Sequence, residues 1–400
     1  MNLNNWSDKI VFSSLKLIKK GHLILTNYDD EKYLFGDPSQ KLKVKIKINK
    51  PGLTYQIVKS GSTGLAEAYM RGDFETDDLT NLIELTAKNI KLVYKFSGLL
   101  DFSIFNKIKN FLLKNDKSRS KKNISKHYDL GNEFFSLWLD PTLTYSSAIF
   151  DQKDNDLEKA QINKYKKLVE LIKPKSGNKI LEIGCGWGGF AEYVGKNHDV
   201  KLDCITISKK QFEYASNRIF KNGLNEKINI QFKDYRDVKQ KYNSIASIEM
   251  IEAVGQNYLE NYFKSIKTNL VRDGSAAIQA ITIDDNLFDR YKTKEDFIQK
   301  YIFPGGFLPS KKKLYDLSQN NGLAINQYNS YGLHYSNTLK IWRDEFFKKW
   351  EEISKQGFDN KFKRMWHFYL SYCEAGFKSK NIDLIQFSLQ NRGDTYDYFF

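Results

Sequence analysis

The alternation of apolar and polar residues predicts a small α/β unit near the start of the chain. Residues 41–48 read KLKVKIKI, in which lysine alternates with an aliphatic residue. This period of two is typical of a strand with one buried and one exposed face. Residues 54–90 have the apolar spacing of helices interrupted by glycines, and Asp77 and Asp78 predict the start of the last helix.

The rest of the chain alternates helical and strand patterns. Apolar residues recur at helical spacing between 157 and 171. Short runs rich in apolar residues follow, and we predict strands at 179–183, 200–206, 228–232, 245–250 and 275–283. Strands that alternate with helices form a parallel sheet covered on both faces. The predicted fold class is therefore α/β, with a Rossmann-like domain after a smaller amino-terminal α/β domain.

The segment between the two patterns supplies the domain boundary. Residues 92–113 mix bulky apolar residues with lysines, which suits a membrane-surface segment or an amphipathic connection packed on a neighbouring domain. Residues 114–126 are polar and basic. We interpret residues 1–113 as a lipid- or membrane-associated domain, residues 114–126 as a linker and residues 127–400 as the catalytic domain.

Composition narrows the class of protein. The 400 residues are 41% hydrophobic, enough for two or more domains with real cores. The three cysteines have no metal-ligand spacing, which fits a reducing compartment and predicts no metal site. The first residues lack the apolar core of a secretory signal, and the chain has no run of 18 apolar residues. We expect a cytoplasmic protein that does not span a membrane.

The positive charge is concentrated in the first third of the chain. The net charge is +15, and residues 1–126 contain 23 lysines and arginines against 13 aspartates and glutamates. An excess of this kind suits an anionic lipid surface or a nucleic acid equally well. A solvated lysine-rich surface without any partner is the third interpretation.

A glycine-rich loop carries the clearest sign of chemistry. The chain reads ILEIGCGWGG at 180–189, so Gly184, Gly186 and Gly189 satisfy G-x-G-x-x-G between a strand and a helix. Such a loop alone could bind NAD, FAD or S-adenosylmethionine. Glu182 precedes the first glycine by two residues, and the next strand ends in Thr-Ile-Ser, where a dinucleotide site needs an acidic residue for the ribose. Both features favour a methyltransferase.

Several ordered motifs then identify a family. They read GLAEAYM at 64–70, HYDLGN at 127–132, LDPTLTYSSA at 139–148, DYRD at 234–237, YIFPGG at 301–306, LPS at 308–310, YGLHY at 331–335 and YLSYCEAGF at 369–377. Together they span nearly the whole chain. The sequence resembles the cyclopropane-fatty-acyl-phospholipid synthases and mycolic acid cyclopropane synthases, a family of S-adenosylmethionine-dependent lipid methyltransferases with a class I methyltransferase fold.

The resemblance implies the cofactor residues. Tyr145, Ser146, Gly184 and Gly186 match positions around the methionine moiety of S-adenosylmethionine. The ribose side corresponds to Thr206, Ile207, Ser208 and Gln211, and the adenine side to Asp234 and Tyr235. Glu182 and Gly189 complete the cofactor loop.

The resemblance also implies the catalytic residues. Glu252 matches an active-site carboxylate that follows the fourth strand, and Tyr335 matches a tyrosine that helps to hold a bicarbonate ion, the base of the family. Ser147 stands where better-known members have a cysteine, and Gln279 where they have a bicarbonate-binding histidine. A backbone N–H and an amide can still donate to the ion. Cys373 matches a reactive thiol of some relatives, although a small buried apolar residue also suits that position.

The implied reaction adds a methyl carbon to the cis double bond of an unsaturated phospholipid acyl chain through a carbocation. Loss of a proton from the added methyl gives a cyclopropane, and a hydride shift first would give a methylene- or methyl-branched chain. A nucleic-acid methyltransferase is disfavoured because residues 249–255 read EMIEAVG, without the Pro-Pro-aromatic run that grips a flipped base. A non-catalytic lipid-binding module is the remaining alternative. A homodimer and a peripheral position on the inner face of the membrane are also expected.

We expect the lysines of strand 41–48 to help recruit the protein to anionic membranes. Each basic residue near such a surface contributes on the order of 1 kcal/mol, attenuated by salt. Replacing Lys41, Lys43, Lys45 and Lys47 with glutamine should therefore weaken sedimentation with anionic vesicles, most clearly at low ionic strength. Equal sedimentation of variant and wild type at every salt concentration would leave the lysines as a solvated face.

Overall fold

The computed structural model describes residues 5–89, 130–151 and 156–391. Within these ranges the chain forms two β-sheets with helices packed on them. The segment 92–113 and the linker 114–126 lie outside the described residues, so the domain boundaries stay predictions.

The amino-terminal unit is a four-stranded sheet packed against helices. Its elements are α1 (Trp6–Leu15), β1 (His22–Thr26), β2 (Lys32–Gly36), β3 (Lys43–Ile48), α2 (Leu53–Met70), β4 (Phe74–Thr76) and α3 (Leu79–Lys88). The strand order is β2-β1-β3-β4, with β1 and β3 parallel and the outer pairs antiparallel. The sequence patterns predicted β3 and the helices within residues 54–90, but not α1 or the other three strands.

Local sequence explains how these elements form. In β3 the aliphatic residues are buried and the lysines exposed, as the alternation predicted. Lys47 lies 3.0 Å from Asp30 in an exposed ion pair. Helix α2 is interrupted at Gly61, whose backbone is not helical. Asp78 caps α3 by accepting a hydrogen bond from the backbone N–H of Asn81.

The second unit contains the larger sheet. Its first helices and strands are α4 (Asn132–Ser136), α5 (Leu157–Ile172), β5 (Lys179–Ile183), α6 (Gly189–Asn197), β6 (Lys201–Thr206), α7 (Lys209–Lys221), β7 (Ile228–Phe232) and β8 (Tyr242–Ile248). They continue with α8 (Ile251–Val254), α9 (Leu259–Asn269), β9 (Leu270–Ile283), α10 (Asp285–Tyr291) and a π-helical turn (Ile298–Ile302). The last are α11 (Lys311–Asn320), β10 (Leu323–Ser330), α12 (Gly332–Lys348), α13 (Trp350–Ser354), α14 (Asn360–Lys378) and β11 (Ile382–Asn391).

The topology of this sheet places the site. Its strand order is β10-β11-β9-β8-β5-β6-β7, and the five strands from β5 to β9 run parallel. The five predicted strands correspond to these, whereas the antiparallel pair β10 and β11 was not predicted. From β5 the chain proceeds to β6 and β7 on one side of the sheet and then returns to β8 and β9 on the other side. The strand order therefore reverses between β5 and β8. Ligands of open α/β sheets bind beyond the carboxyl ends of the strands at such a switch point.

Polar contacts hold the amino-terminal unit against α14. The guanidinium of Arg364 lies 4.0 Å from the ring centroid of Tyr69, and its Nε donates to the backbone oxygen of that tyrosine. The hydroxyl of Tyr69 is 2.8 Å from Nδ1 of His367. Arg343 bonds both Thr80 and the buried carboxylate of Glu374. The two units therefore pack as one body on this side.

A single cavity of about 960 Å³ passes between the units. At one end it is lined by the glycine-rich turn after β5, and at the other by apolar side chains of β1, β3, α1, α2 and α3. Among the described residues, no helix has the length and apolar character needed to cross a membrane.

Candidate active site

The turn after β5 forms one wall of the cavity. Gly184 and Gly186 have φ angles of +82° and +53°, left-handed values that glycine adopts readily. A Cβ added to Gly184 would lie 2.7 Å from Cγ of Met250, whereas one added to Gly186 would meet no atom within 4 Å. Packing therefore requires Gly184 to be a glycine, and Gly186 leaves open space in which a ligand can approach the backbone.

Gly189 is a glycine for a different reason. It begins α6, and a Cβ there would lie 2.5 Å from the hydroxyl oxygen of Tyr165 and 3.1 Å from Oγ1 of Thr144. These two hydroxyls are hydrogen-bonded to each other. The missing side chain lets the amino terminus of α6 pack closely against α5 and the loop before it.

Glu182 supplies an unsatisfied acceptor at the cavity wall. Its side chain is 3% exposed, and Oε2 has no hydrogen-bond partner among the described residues. Burial raises the pKa of its carboxyl to about 7. Buried polar atoms normally have partners, so a donor group of a bound cofactor would satisfy this oxygen.

The end of β6 forms the next part of the wall. Thr206, Ile207 and Gln211 line the cavity, and Oγ1 of Thr206 donates to Oε1 of Gln211 at 3.1 Å. Ser208 instead caps α7, because its Oγ accepts a hydrogen bond from the backbone N–H of Gln211 at 3.3 Å. The role of Ser208 is thus to position Gln211 rather than to line the cavity.

Asp234 and Tyr235 follow β7 and also line the cavity. The carboxylate of Asp234 accepts two hydrogen bonds from the guanidinium of Arg236, at 2.8 and 2.7 Å. Burial raises the pKa of the Tyr235 phenol to about 12, so the ring is neutral. The neutral ring of Tyr235 provides a flat surface on which a planar adenine can pack.

The predicted cofactor residues therefore converge on one cavity. Those that line it are Tyr145, Ser146, Glu182, Gly184, Gly186, Gly189, Thr206, Ile207, Gln211, Asp234 and Tyr235. The hydroxyl of Tyr145 is 2.7 Å from that of Tyr369, which ties the loop before α5 to α14. The open space at Gly186 and the unsatisfied oxygen of Glu182 fit S-adenosylmethionine.

Lys164 is a buried cation that the sequence analysis missed. Its Nζ donates to Oγ of Ser146 at 2.7 Å, and its side chain is fully buried in α5. Burial lowers the pKa of its ammonium to about 7, against the opposing effect of the carboxylates of Glu249, Asp140 and Glu182. One feature of the sequence could have indicated this burial. Lys164 follows Ala160 by four residues, so both lie on the apolar face of the helix predicted between residues 157 and 171.

Glu249 lies at the centre of the polar cluster, and the sequence analysis did not assign it. Its Oε1 accepts hydrogen bonds from the backbone N–H of Ser147 at 2.9 Å and from Nε2 of Gln279 at 2.8 Å. Its Oε2 accepts from the hydroxyl of Tyr335 at 2.6 Å. Its remaining surface faces the cavity. The donors that were expected around a bicarbonate ion therefore meet a carboxylate of the protein itself.

These donors are themselves held in place. Nε2 of Gln386 donates to Oε1 of Gln279 at 2.9 Å. Because the oxygen of the Gln279 amide is used in this way, its Nε2 is directed at Glu249. The ring of Tyr335 stacks on Phe377 at 4.6 Å. Burial and the adjacent Glu249 carboxylate raise the pKa of Tyr335 well above its ordinary value, so its hydroxyl stays a donor.

Glu252 lies three residues after Glu249, in α8, and has different hydrogen-bond partners. Its Oε1 accepts from the backbone N–H of Ile281 at 2.5 Å, and its Oε2 has no partner among the described residues. Burial and the charge of Glu249 raise the pKa of Glu252 to about 8. Burial also raises the pKa of Glu249, but hydrogen bonds and Lys164 oppose this. The hydrogen bonds and Lys164 therefore favour the charged form of Glu249 over the charged form of Glu252.

The two remaining predicted residues have modest roles in this geometry. Ser147 is fully buried and uses its backbone N–H on Glu249, while its hydroxyl donates to the oxygen of Ala148 at 2.9 Å. Cys373 is a free thiol on the cavity wall. Burial raises its pKa, so it is a neutral thiol rather than a thiolate nucleophile.

The chain is similar to known proteins over most of its length. The family described as mycolic acid cyclopropane synthetase matches residues 115–387, and a domain family of unknown function matches residues 13–95. The chain is 34% identical over 355 residues to the tuberculostearic acid methyltransferase of Mycobacterium tuberculosis, with 86% of this chain and 83% of that protein covered. It is also 34% identical over 347 residues to the cyclopropane-fatty-acyl-phospholipid synthase of Escherichia coli, with 85% and 86% covered.

Solved structures agree with the fold. A cyclopropane synthase from Mycobacterium tuberculosis superposes with a TM-score of 0.64 at 27% identity, covering 68% of this chain and 98% of the other. A mycolic acid cyclopropane synthase complexed with SAH and CTAB gives the same four values. The α/β methyltransferase fold predicted from the sequence is confirmed, and these matches support S-adenosylmethionine as the cofactor.

Gly186→Val should lower the affinity for S-adenosylmethionine, because a branched side chain would fill the space beside the backbone. Left-handed φ alone costs a non-glycine residue about 1–2 kcal/mol. Gly223→Val is the matched control, since Gly223 has a φ of +66° and equally open surroundings but does not line the cavity. Calorimetry should show weakened binding for Gly186→Val only. Equal affinity in both folded variants would overturn the assignment of the loop.

The stability of ligand-free Glu252→Gln relative to wild type should increase as the pH rises. The pKa of Glu252 is raised from an ordinary 4.5 to about 8, so the stability from its protonated form is complete below pH 4.5 and is lost by pH 8. Each pKa unit corresponds to about 1.4 kcal/mol. The melting temperature of Glu252→Gln minus that of wild type should grow between pH 5 and pH 8. The matched control is Glu226→Gln, at an exposed glutamate. A pH-independent difference for Glu252→Gln would refute the assignment of Glu252 as a buried carboxyl with a raised pKa.

Proposed function

Because the chain belongs to the mycolic acid cyclopropane synthetase family, we propose that it adds a methyl carbon to the cis double bond of an unsaturated acyl chain in a membrane phospholipid. Membership makes the chain an S-adenosylmethionine-dependent lipid methyltransferase. Our proposal goes beyond membership in three respects: the phospholipid substrate, the carbocation mechanism and the cyclopropane product.

The continuity of the cavity is the observation that carries the proposal. One cavity is lined by the cofactor loop, by Glu249 and Tyr335 and by the interior of the amino-terminal unit. There it is lined by aliphatic side chains: Leu23, Leu25, Ile46, Ile48, Leu82 and Leu85. An acyl chain could lie along this apolar wall with its double bond beside the polar cluster. Along these aliphatic side chains an apolar acyl chain is favoured over a polar substrate, whose hydrogen-bonding groups would lose water.

The side chains around the polar cluster suit a cationic intermediate. S-adenosylmethionine supplies an electrophilic methyl group on its sulfonium. When the π electrons of the alkene form the new C–C bond, a positive charge is left on the neighbouring carbon. The Glu249 carboxylate and the ring faces of Tyr335 and Tyr369 provide negative potential near it. The apolar wall keeps out water, which would quench the cation.

The positive charge of the first third supports delivery at a membrane. A phospholipid acyl chain must leave the bilayer to enter the cavity, so the enzyme must act at the surface. The exposed lysines of β3 belong to the same unit that supplies the apolar wall. An anionic surface would attract this unit. We include peripheral membrane binding in the proposal, and the homodimer stays a prediction.

The direct test is methyl transfer from labelled S-adenosylmethionine to vesicles of unsaturated phospholipid. Each modified acyl chain should gain one carbon and two hydrogens by mass spectrometry. Proton NMR should show upfield ring methylene signals for a cyclopropane, or vinylic signals for a methylene branch. No incorporation into lipid by a folded protein that binds the cofactor would overturn the proposal.

Narrowing the apolar wall should reduce this activity selectively. Leu65 in α2 is half-buried and lines the cavity, so Leu65→Trp should obstruct the acyl chain. Overpacking of this kind costs about 1–3 kcal/mol, and the same cost met by the bound lipid would lower kcat/KM roughly 5- to 150-fold. The control is Leu34→Trp in the same unit, since Leu34 is 68% exposed and outside the cavity. Cofactor affinity should not change in either variant, and full activity of Leu65→Trp would mean that the chain lies elsewhere.

A further inference from the structure

The three hydrogen bonds to Glu249 come from three separate parts of the fold. Ser147 lies in the loop before α5, Gln279 in β9 and Tyr335 in α12. Each donor was expected, from the family resemblance, to hold a bicarbonate ion. The two oxygens of Glu249 occupy the positions that two oxygens of such an ion would need, at ordinary hydrogen-bond distances.

Bicarbonate does not fit beside this carboxylate. Its donors are already used, and the ion would bring a second negative charge next to Glu249 with Glu252 also nearby. Like charges that share an enclosed site disfavour each other strongly. Among the described residues, the cation that acts on the pKa of Glu249 is the ammonium of Lys164, and its charge is already engaged with this carboxylate. No step of the reaction is therefore assigned to bicarbonate.

We propose that Glu249 is the catalytic base of this enzyme, a built-in carboxylate that performs the proton removal which bicarbonate performs in the resembling family. The proposal rests on the function proposed above, because it needs a methylated cationic intermediate. It is carried by the contacts of Glu249 and by its position on the cavity wall.

The proton transfer balances without any further reactant. A C–H bond of the added methyl group breaks, and its proton forms an O–H bond with a Glu249 oxygen. The electron pair of that C–H bond forms the third side of the cyclopropane and neutralises the cation. A carboxylate offers about four acceptor positions, so three hydrogen bonds leave one on Oε2 for this proton. Glu249 returns to its charged form by releasing the proton to solvent when the product leaves.

The backbone at Glu249 gives independent support. Its φ is +48°, a left-handed value that is uncommon for a residue with a side chain. Residues held in such conformations concentrate at functional sites, where the surrounding structure maintains them. The backbone N–H of Glu249 donates to the oxygen of Gln279 at 2.8 Å, which fixes this conformation at the end of β8. The strained backbone aims the carboxylate at its three donors.

Two neighbours act as positioning residues. Gln386 orients the amide of Gln279, and Lys164 interacts with the charge of Glu249 from α5. Glu252 touches the cavity as well, but its single hydrogen bond and proximity to Glu249 leave it protonated in the absence of ligand. The two carboxyl groups thus have separate states set by their surroundings.

The test compares two variants of the full-length protein with wild type. Glu249→Gln keeps the shape but cannot take the proton. Glu249→Gly removes the side chain, relieves the left-handed backbone and exposes the donors to an anion. Wild-type activity on unsaturated phospholipid vesicles should be the same in carbon-dioxide-free buffer and with millimolar bicarbonate. Glu249→Gln should lose roughly 100-fold or more in turnover with unchanged cofactor affinity, the loss expected on removing one preorganised group.

Chemical rescue separates the base from a structural role. Bicarbonate should restore Glu249→Gly activity by roughly tenfold or more while leaving Glu249→Gln inactive, because the glutamine side chain still fills the space. Bicarbonate dependence of wild type, wild-type turnover in Glu249→Gln, or no rescue of a folded Glu249→Gly would overturn the proposal.

A binding measurement does not depend on catalysis. The carbon-13 signal of labelled bicarbonate should broaden with Glu249→Gly and stay sharp with wild type and Glu249→Gln. If wild type were inactive on phospholipid but gave these line widths, the proposed substrate would be wrong, while Glu249 would still be shown to occupy the position of the bicarbonate ion. Broadening by wild type, or none by Glu249→Gly, would refute the assignment whatever the activity.

Discussion

The enclosed negative charge of Glu249 constrains the rest of the site. Removing a carboxylate from water costs several kcal/mol even after the protein relaxes, and only well-placed donors and cations offset this. Its donors come from Ser147, Gln279 and Tyr335, which are far apart in sequence. The loop before α5, strand β9 and helix α12 must therefore meet at fixed distances. The same contacts fix the shape of the cavity beside the cofactor loop.

The pairing of Glu249 with Glu252 divides the chemistry between two carboxyl groups. Three hydrogen bonds and Lys164 favour the charged form of Glu249, whereas Glu252 has one hydrogen bond and a like charge nearby. A cationic intermediate would be stabilised by the first and would draw the second toward ionisation. Groups with identical chemistry thus acquire different functions from their surroundings, as in other enzymes that use two carboxylates.

In the proposed mechanism, the position of the base relative to the cationic intermediate would decide the product. The chain is 34% identical both to a tuberculostearic acid methyltransferase and to a cyclopropane-fatty-acyl-phospholipid synthase, so identity does not choose between a branched chain and a ring. A base close to the added methyl favours ring closure before a hydride can migrate. In the proposed reaction the amino-terminal unit would set this distance, because its aliphatic side chains line the same cavity as Glu249.

The sequence by itself determined the local elements and the cofactor loop. Alternation predicted β3 and short apolar runs predicted the five parallel strands, since both patterns are properties of neighbouring residues. The spacing of Gly184, Gly186 and Gly189 predicted the turn because backbone conformation is also local. Together with the family motifs, these features were sufficient to predict the fold class and the cofactor.

Only the tertiary structure distinguished Glu249 from Glu252. The two glutamates stand three residues apart after the same strand. The residue pattern alone therefore makes each an equally good candidate for an active-site carboxylate. The left-handed backbone at Glu249 turns its side chain toward donors from residues 147, 279 and 335, which no local pattern brings together. Lys164 was missed for the same reason, since a lysine on a helix looks solvated until the sheet buries it. Charge, burial and proton affinity in this site are properties of the packed chain.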